Sequence, residues 1–174
     1  MDRRTFLRVS GAVPVAGLAG WPPPDDWARL RKRLSGPFFR PGDPGYPEAK
    51  LGFFTMYDDR MPAAVVGAAR VEDVQLAVGF AARHGLPVAA RGGGHSYPGY
   101  STVDGGIVVD LSRFSGVEAR PDGRAVIGAG ARLGPVATTL AAAGRVLPAG
   151  SCDTVGIAGL ALGGGVGLLD RKYG

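Results

Sequence analysis

From Pro62 onward the chain alternates short apolar runs with one amphipathic stretch, and this alternation restricts the fold more than any other feature. Ala63-Ala64-Val65-Val66 reads as a buried strand, being too short for a stable helix. Val71 to about Arg83 reads as a helix, with Val71, Val74, Val78 and Ala81 recurring near helical spacing as its inner face. Glu72 and Asp73 complement the positive end of its dipole, and Gly85 supplies the stop. Pro87-Val88-Ala89-Ala90 is the next strand. Strand, helix, strand implies a parallel pair joined by a crossover.

Further elements follow the same logic. Ile107-Val108-Val109-Asp110-Leu111 is another buried strand. A turn at Pro121-Asp122-Gly123-Arg124 precedes a strand at Ala125-Val126-Ile127. Pro135 is expected to open a helix to about Ala143, with Val136 and Leu140 inward and Gly144 at its stop. Residues 21–60 are expected to be irregular and Pro-rich. There Pro22-Pro23-Pro24 reads as a stiff linker, and a short helix from about Asp26 to Leu34 is capped by Asp25 or Asp26. Pro37, Pro41, Pro44 and Pro47 then exclude any long regular element.

Composition excludes several classes. Glycine and proline together (30 and 14 of 174 residues) approach the level of disordered chains. The chain is nevertheless 45% hydrophobic and only 20% charged, which fits a folded domain. One cysteine, Cys152, excludes an internal disulfide framework and a Cys-rich zinc site, and with only His84 and His95 beside it no metal is expected. The net charge of +5 is modest, and its basic residues are scattered apart from the leader and Arg29-Leu30-Arg31-Lys32-Arg33. That cluster reads as a solvated helix face, so no nucleic-acid partner is expected. No apolar run reaches the roughly 18 residues of a membrane span, so no membrane anchor is expected either.

Residues 1–20 read as an export signal: a basic start, a mildly apolar stretch and a small-residue site near Ala19. Arg3-Arg4 followed by Phe6-Leu7 resembles the twin-arginine signal, whose route carries proteins already folded. The expectation is an exported protein, periplasmic or extracellular, that acquires any cofactor before export.

Two glycine clusters carry the chemistry. The first, Arg91-Gly92-Gly93-Gly94-His95-Ser96, follows a strand, where α/β sheets tend to bind ligands. Its glycines admit backbone angles that aim successive N–H groups into one concavity for a phosphate. Ser96 adds a hydroxyl and Arg91 a charge, and His95 lies where it can approach the ligand. The second runs from Gly150-Ser151-Cys152-Asp153-Thr154-Val155-Gly156 through Gly159 to Gly163-Gly164-Gly165. Its small residues permit close approach of a large flat ligand. Cys152 is either a nucleophile or a buried structural thiol. A third set, Gly128-Ala-Gly130-Ala-Arg-Leu-Gly134, mimics a nicotinamide-dinucleotide fingerprint with one residue too many.

Taken together, Arg91-Gly-Gly-Gly-His95-Ser-Tyr-Pro-Gly-Tyr-Ser101, Asp110-Leu-Ser, Gly128-Ala-Gly130, Leu147-Pro-Ala-Gly-Ser-Cys152 and Val155-Gly-Ile-Ala-Gly-Leu resemble FAD-linked oxidases. The resemblance is to the berberine-bridge-enzyme-like branch of the vanillyl-alcohol oxidase superfamily and covers about residues 60–174. It implies an α+β FAD-binding domain from residue 61, a small βαβ subdomain followed by a mixed α/β subdomain. It also implies a chain that stops inside that domain, the substrate domain and catalytic base lying beyond it. By matching positions, the resemblance implies a bicovalent FAD, held by His95 at the 8α carbon and Cys152 at C6. Residues Arg91, Gly92, Gly93, Gly94, His95 and Ser96 would bind the pyrophosphate. Thr154, Val155, Gly156, Gly159, Gly163 and Gly164 would line the cofactor. The activity implied is oxidation of an alcohol, sugar or amine-type small molecule by hydride transfer, with dioxygen as electron acceptor. A flavin-binding fragment or subunit without turnover is the alternative.

Overall fold

The structure, a computed structural model, describes residues 21–173. The export signal expected over residues 1–20 lies outside the described residues.

The Pro-rich entry segment is more ordered than its composition predicts. Helix α1 (Pro24–Arg33) starts directly after Pro23, and Pro24 occupies a first-turn position that has no use for an N–H. The proline run is therefore partly helix. Neither Asp25 nor Asp26 caps α1; both sit inside the first turn, where they complement the dipole, as Arg31, Lys32 and Arg33 do at the far end. Trp27 and Leu30 are buried, whereas Arg29, Arg31, Lys32 and Arg33 face solvent. A two-residue strand β1 (Phe38–Phe39) and a short helix α2 (Tyr46–Ala49) follow. Prolines keep these elements short, yet the segment contributes an edge strand.

The main sheet adds β2 (Ala64–Gly67), β3 (Val88–Arg91) and β4 (Ile107–Asp110), with helix α3 (Val71–His84) between β2 and β3. Its order is β1-β2-β4-β3. The strand–helix–strand unit is parallel, as expected, but β2 and β3 are not neighbours. β4 inserts between them, pairing Ala64 with Ile107 on one side and Val88 with Ile107 on the other. Burial explains the insertion. Ile107, Val108 and Val109 are at most 2% exposed and belong at the centre, whereas β3 alternates exposed and buried residues as an edge strand does.

Helix α3 ends at Gly85 in the left-handed region (φ 63°), as read from the sequence. Its inner face differs from the expectation. Asp73, Ala77, Phe80 and Ala81 are buried, while Val71 and Val78 point outward. Asp73 is fully enclosed because its carboxylate accepts the N–H groups of Ser35 (2.9 Å), Gly36 (3.1 Å) and Ala69 (2.9 Å). It therefore ties α3 to the loops before β1 and after β2. Trp27 packs on Phe80 with ring centroids 4.6 Å apart, joining α1 to α3 on one sheet face. Tyr46, Val65, Ala89 and Val108 fill the other face.

The remaining elements are an antiparallel hairpin, β5 (Val117–Ala119) with β6 (Ala125–Ile127), and helices α4 (Leu133–Ala142), α5 (Ile157–Gly163) and α6 (Asp170–Tyr173). Pro135 is the third residue of α4 rather than its opener, and Val136 and Leu140 point inward as predicted, around Ala131. The arrangement is α+β. Among the described residues, no helix is long and apolar enough to cross a membrane.

Candidate functional site

The parallel register of β3 and β4 sets Arg91 opposite Asp110. Arg91 Nε donates to Asp110 Oδ2 at 2.8 Å. Its other guanidinium nitrogens donate to the carbonyls of Ala49 (2.6 Å), Leu51 (2.9 Å) and Lys50 (3.2 Å). The charge expected to face a ligand is thus spent inside the protein, 94% buried. Fork-shaped donor geometry suits this task, which a lysine could not reproduce. Asp110 also accepts the Ser112 N–H at 2.9 Å, which turns the chain after β4.

Beyond Arg91 the chain opens into the glycine loop. Gly94 has φ 77°, in the left-handed region that favours glycine. Among the described residues, none of the N–H groups of residues 92–97 donates a hydrogen bond within the protein. Residues 92–96 are only partly exposed. Partly enclosed N–H groups without acceptors, following a strand end, make a cradle for an anion such as a pyrophosphate. The Ser96 hydroxyl accepts the Tyr100 N–H at 3.0 Å and shapes the exit of this loop.

The second cluster folds back onto the first. A Cβ added at Gly93 would lie 2.2 Å from the Gly156 nitrogen, so the two backbones touch where any side chain would hold them apart. An isolated bridge between Arg132 and Gly156, with Ile157 N–H donating to Ala131 at 2.9 Å, anchors this crossing to the start of α4. The crossing carries Thr154 to the imidazole: Thr154 Oγ1 and His95 Nε2 are 3.0 Å apart. Cys152 Sγ lies 3.9 Å from the same Oγ1. Imidazole and thiol, the two nucleophiles singled out from the sequence, thus stand no further apart than those two contacts laid end to end.

His95 is half-buried, and its ring lies flat on Phe53 with centroids 3.7 Å apart and planes inclined 20°. Desolvation by this burial, reinforced by the positive charge of Arg132, holds its pKa below the usual histidine value. The imidazole is therefore kept neutral, the form that acts as a nucleophile. Cys152 is exposed and free, so the buried structural reading of this thiol does not hold. Arg132, Pro135, Thr138, Asp153 and Thr154 line an open recess of ≈ 660 Å³ beside it.

Not every expected residue converges here. Gly159 and Gly163, with Gly164 after them, lie on or just past α5 in open space, with no atom within 4 Å of an added Cβ. Gly130 is needed for packing, because a Cβ there would collide with the Leu111 carbonyl at 1.8 Å. The dinucleotide-like glycine run around it is accordingly a packing feature. Phe53 was invisible to pattern reading. The only local hint is the aromatic pair Phe53-Phe54 after Gly52, and its importance comes from contacts with residues about forty positions away.

Known proteins resemble this chain over most of its length. The family described as "FAD binding domain" matches residues 62–174. A chitooligosaccharide oxidase from Gibberella zeae is 43% identical over 126 residues, covering 69% of this chain and 26% of that protein. An (R)-6-hydroxynicotine oxidase from Paenarthrobacter nicotinovorans is 36% identical over 152 residues, covering 83% of this chain and 33% of that protein. Among solved structures, BBE-like 1 from Physcomitrella patens superposes with a TM-score of 0.78 at 40% identity, covering 84% of this chain and 32% of that one. The chain therefore spans about a quarter to a third of the length of these relatives.

Proposed function

Since this chain belongs to the FAD binding domain family, among the berberine-bridge-enzyme-like oxidases, we propose that it is the flavin-holding portion of an FAD-dependent oxidoreductase acting on a small molecule. The cofactor fits the residues present. The N–H groups of residues 92–97 suit its pyrophosphate, and the Gly93–Gly156 contact brings the second glycine cluster beside His95. Bound FAD supplies a two-electron acceptor for hydride from a substrate carbon. The named substrates of the two relatives, an oligosaccharide and a hydroxynicotine, support a substrate of the alcohol, sugar or amine type.

The finer reading is that FAD is held by two bonds, through His95 and Cys152. The observation that carries it is the convergence of both side chains on Thr154 Oγ1. His95 would hold the 8α carbon and Cys152 would hold C6, each new bond replacing one carbon–hydrogen bond of the flavin and the N–H or S–H bond of the side chain. The two protons and two electrons released per bond would pass to dioxygen, giving hydrogen peroxide. The depressed pKa of His95 keeps a lone pair available for the first bond. Export by a twin-arginine route belongs to the same reading, because two bonds prevent loss of a cofactor loaded before export; the motif Arg3-Arg4 supports it.

The test is denaturation of the protein expressed with FAD. Flavin fluorescence should stay with the polypeptide in a denaturing gel for wild type, His95→Ala and Cys152→Ala, and vanish only in the double variant. Complete release from wild type, or from either single variant, contradicts two links.

A second reading is favoured by one surface. Leu162, Val166 and Leu168 are 90, 83 and 92% exposed, which is unusual for clustered aliphatic residues. In that reading the chain binds flavin within a larger assembly and does not turn over substrate alone. Substrate-dependent peroxide release by the chain in isolation separates the two.

A further inference from the structure

Phe53 lies in neither glycine cluster, yet it makes the closest ring contact to His95: centroids 3.7 Å apart, planes inclined 20°. Phe54 meets the same imidazole edge-on, at 6.2 Å and 74°. The segment carrying both is anchored at several points. Arg91, held by Asp110, donates to the carbonyls of Ala49, Lys50 and Leu51. The Phe53 N–H donates to the Gly94 carbonyl at 3.3 Å. The strand register that opposes Arg91 and Asp110 is thereby transmitted to the aromatic ring resting on His95.

An imidazole on a glycine-rich loop has soft backbone torsions beside it and two side-chain torsions of its own. Bond formation at one of its nitrogens requires a single plane and a single rotation. Thr154 Oγ1, in the direction of Nε2, sets the rotation. Something else must set the plane.

We propose that Phe53 is a positioning residue for His95, fixing the imidazole plane by stacking so that the ring edge is presented to the cofactor. This rests on the reading that His95 attaches FAD. Phe53 acts through His95, and the Arg91–Asp110 pair acts through Phe53.

The test uses the protein prepared without FAD in a Cys152→Ala background, so that every covalent flavin reports on His95. Three forms are compared: that parent, Phe53→Ala and Phe53→Tyr. FAD is added, and fluorescence surviving denaturation is followed with time. Phe53→Ala should slow attachment by about tenfold or more, with non-covalent FAD affinity kept; Phe53→Tyr should restore a rate near that of the parent. Proton NMR provides a readout that a merely structural role would not move. The His95 ring protons should show an upfield ring-current shift in the parent and Phe53→Tyr and lose it in Phe53→Ala, with His84 as the one other histidine to distinguish. Phe53 is 52% exposed, so its truncation leaves the core intact, which circular dichroism verifies. Parent-like attachment by Phe53→Ala, or no ring-current shift in the parent, overturns the proposal. If the Cys152→Ala parent never retains flavin, the attachment reading fails first and takes the proposal with it. That outcome is recognisable because none of the three forms then retains flavin.

Discussion

His95 Nε2 and Thr154 Oγ1 stand 3.0 Å apart although 59 residues separate them. This contact joins the loop after β3 to the loop before α5, and Cys152 reaches the same oxygen from 3.9 Å. A hydroxyl can accept from a protonated Nε2 or donate to a bare one, so this contact sets the ring rotation and accommodates either tautomer.

Replacing that hydroxyl is the most direct probe of the site. Thr154→Val keeps the shape and removes the hydrogen bond. Covalent flavin incorporation should slow by about tenfold or more, while the melting temperature changes little because Thr154 is exposed. The measurement is the time course of denaturation-resistant flavin fluorescence in a Cys152→Ala background, where every covalent flavin reports on His95. A wild-type rate would mean that Thr154 has no part in orienting His95.

Gly93→Ala tests the meeting of the two clusters. The added Cβ would fall 2.2 Å from Gly156 N and 3.0 Å from the Thr154 carbonyl, both backbone atoms that cannot swing aside. Overpacking of this kind costs about 1–3 kcal/mol. The variant should show a lowered melting temperature together with weakened FAD binding, measured by flavin fluorescence quenching. Gly159→Ala, where the added atom meets open space, is the control and should behave as wild type.

The pH dependence of His95 follows from its lowered pKa. An unfolded histidine titrates near 6.5, so as pH falls the unfolded state takes up its proton first. The stability contribution of this group therefore falls as pH drops through the window between about 6.5 and the lower folded value, and is steady above that window. Covalent attachment, which needs the neutral ring, should persist below pH 6.5 and fail only in more acidic solution. An NMR titration of His95 checks this; a midpoint at or above the free value would refute it.

Asp73 shows linkage of the same sign in a more acidic window. Burial pushes its carboxyl upward, but the N–H groups of Ser35, Ala69 and Gly36 outweigh burial and hold it below the usual range. Its stabilisation is complete above the unfolded carboxyl value, about 3.9, and disappears as pH falls through the lower folded value. Asp73→Asn should destabilise by about 1.5–3 kcal/mol at neutral pH, measured by urea unfolding. The difference from wild type should shrink in strong acid; a constant difference across pH would exclude the carboxylate as its source.

What could be read from the chain followed from local rules. The strands Ala64–Gly67, Val88–Arg91, Ile107–Asp110 and Ala125–Ile127 and the helices Val71–His84 and Leu133–Ala142 were legible because short apolar runs and helical spacing of apolar residues mark such elements. The strand Val117–Ala119 and the helices Ile157–Gly163 and Asp170–Tyr173 carry no such pattern. Gly85 and Gly144 marked helix ends because left-handed backbone is inexpensive only for glycine. His95, Cys152 and Thr154 were legible as candidates because nucleophiles embedded in glycine-rich stretches stand out from their surroundings. Arg91 was legible as important but misread in role, since a charge beside a phosphate-type loop suggests a ligand contact. Its actual partners, Asp110 and three carbonyls around residue 50, are visible only once β3 lies beside β4.

By itself, then, the order of residues determined the strand–helix–strand run after Pro62, the glycine-marked helix ends and which side chains have chemistry to offer. Folding in three dimensions alone decided that β4 separates β2 from β3, that Asp73 rather than Val71 faces inward, and that Phe53 covers His95. The physical reason is range. Backbone preference and hydrophobic periodicity act over a few neighbours, whereas strand insertion, carboxylate burial and ring stacking depend on groups tens of residues apart whose contact is paid for by the packing of the whole domain.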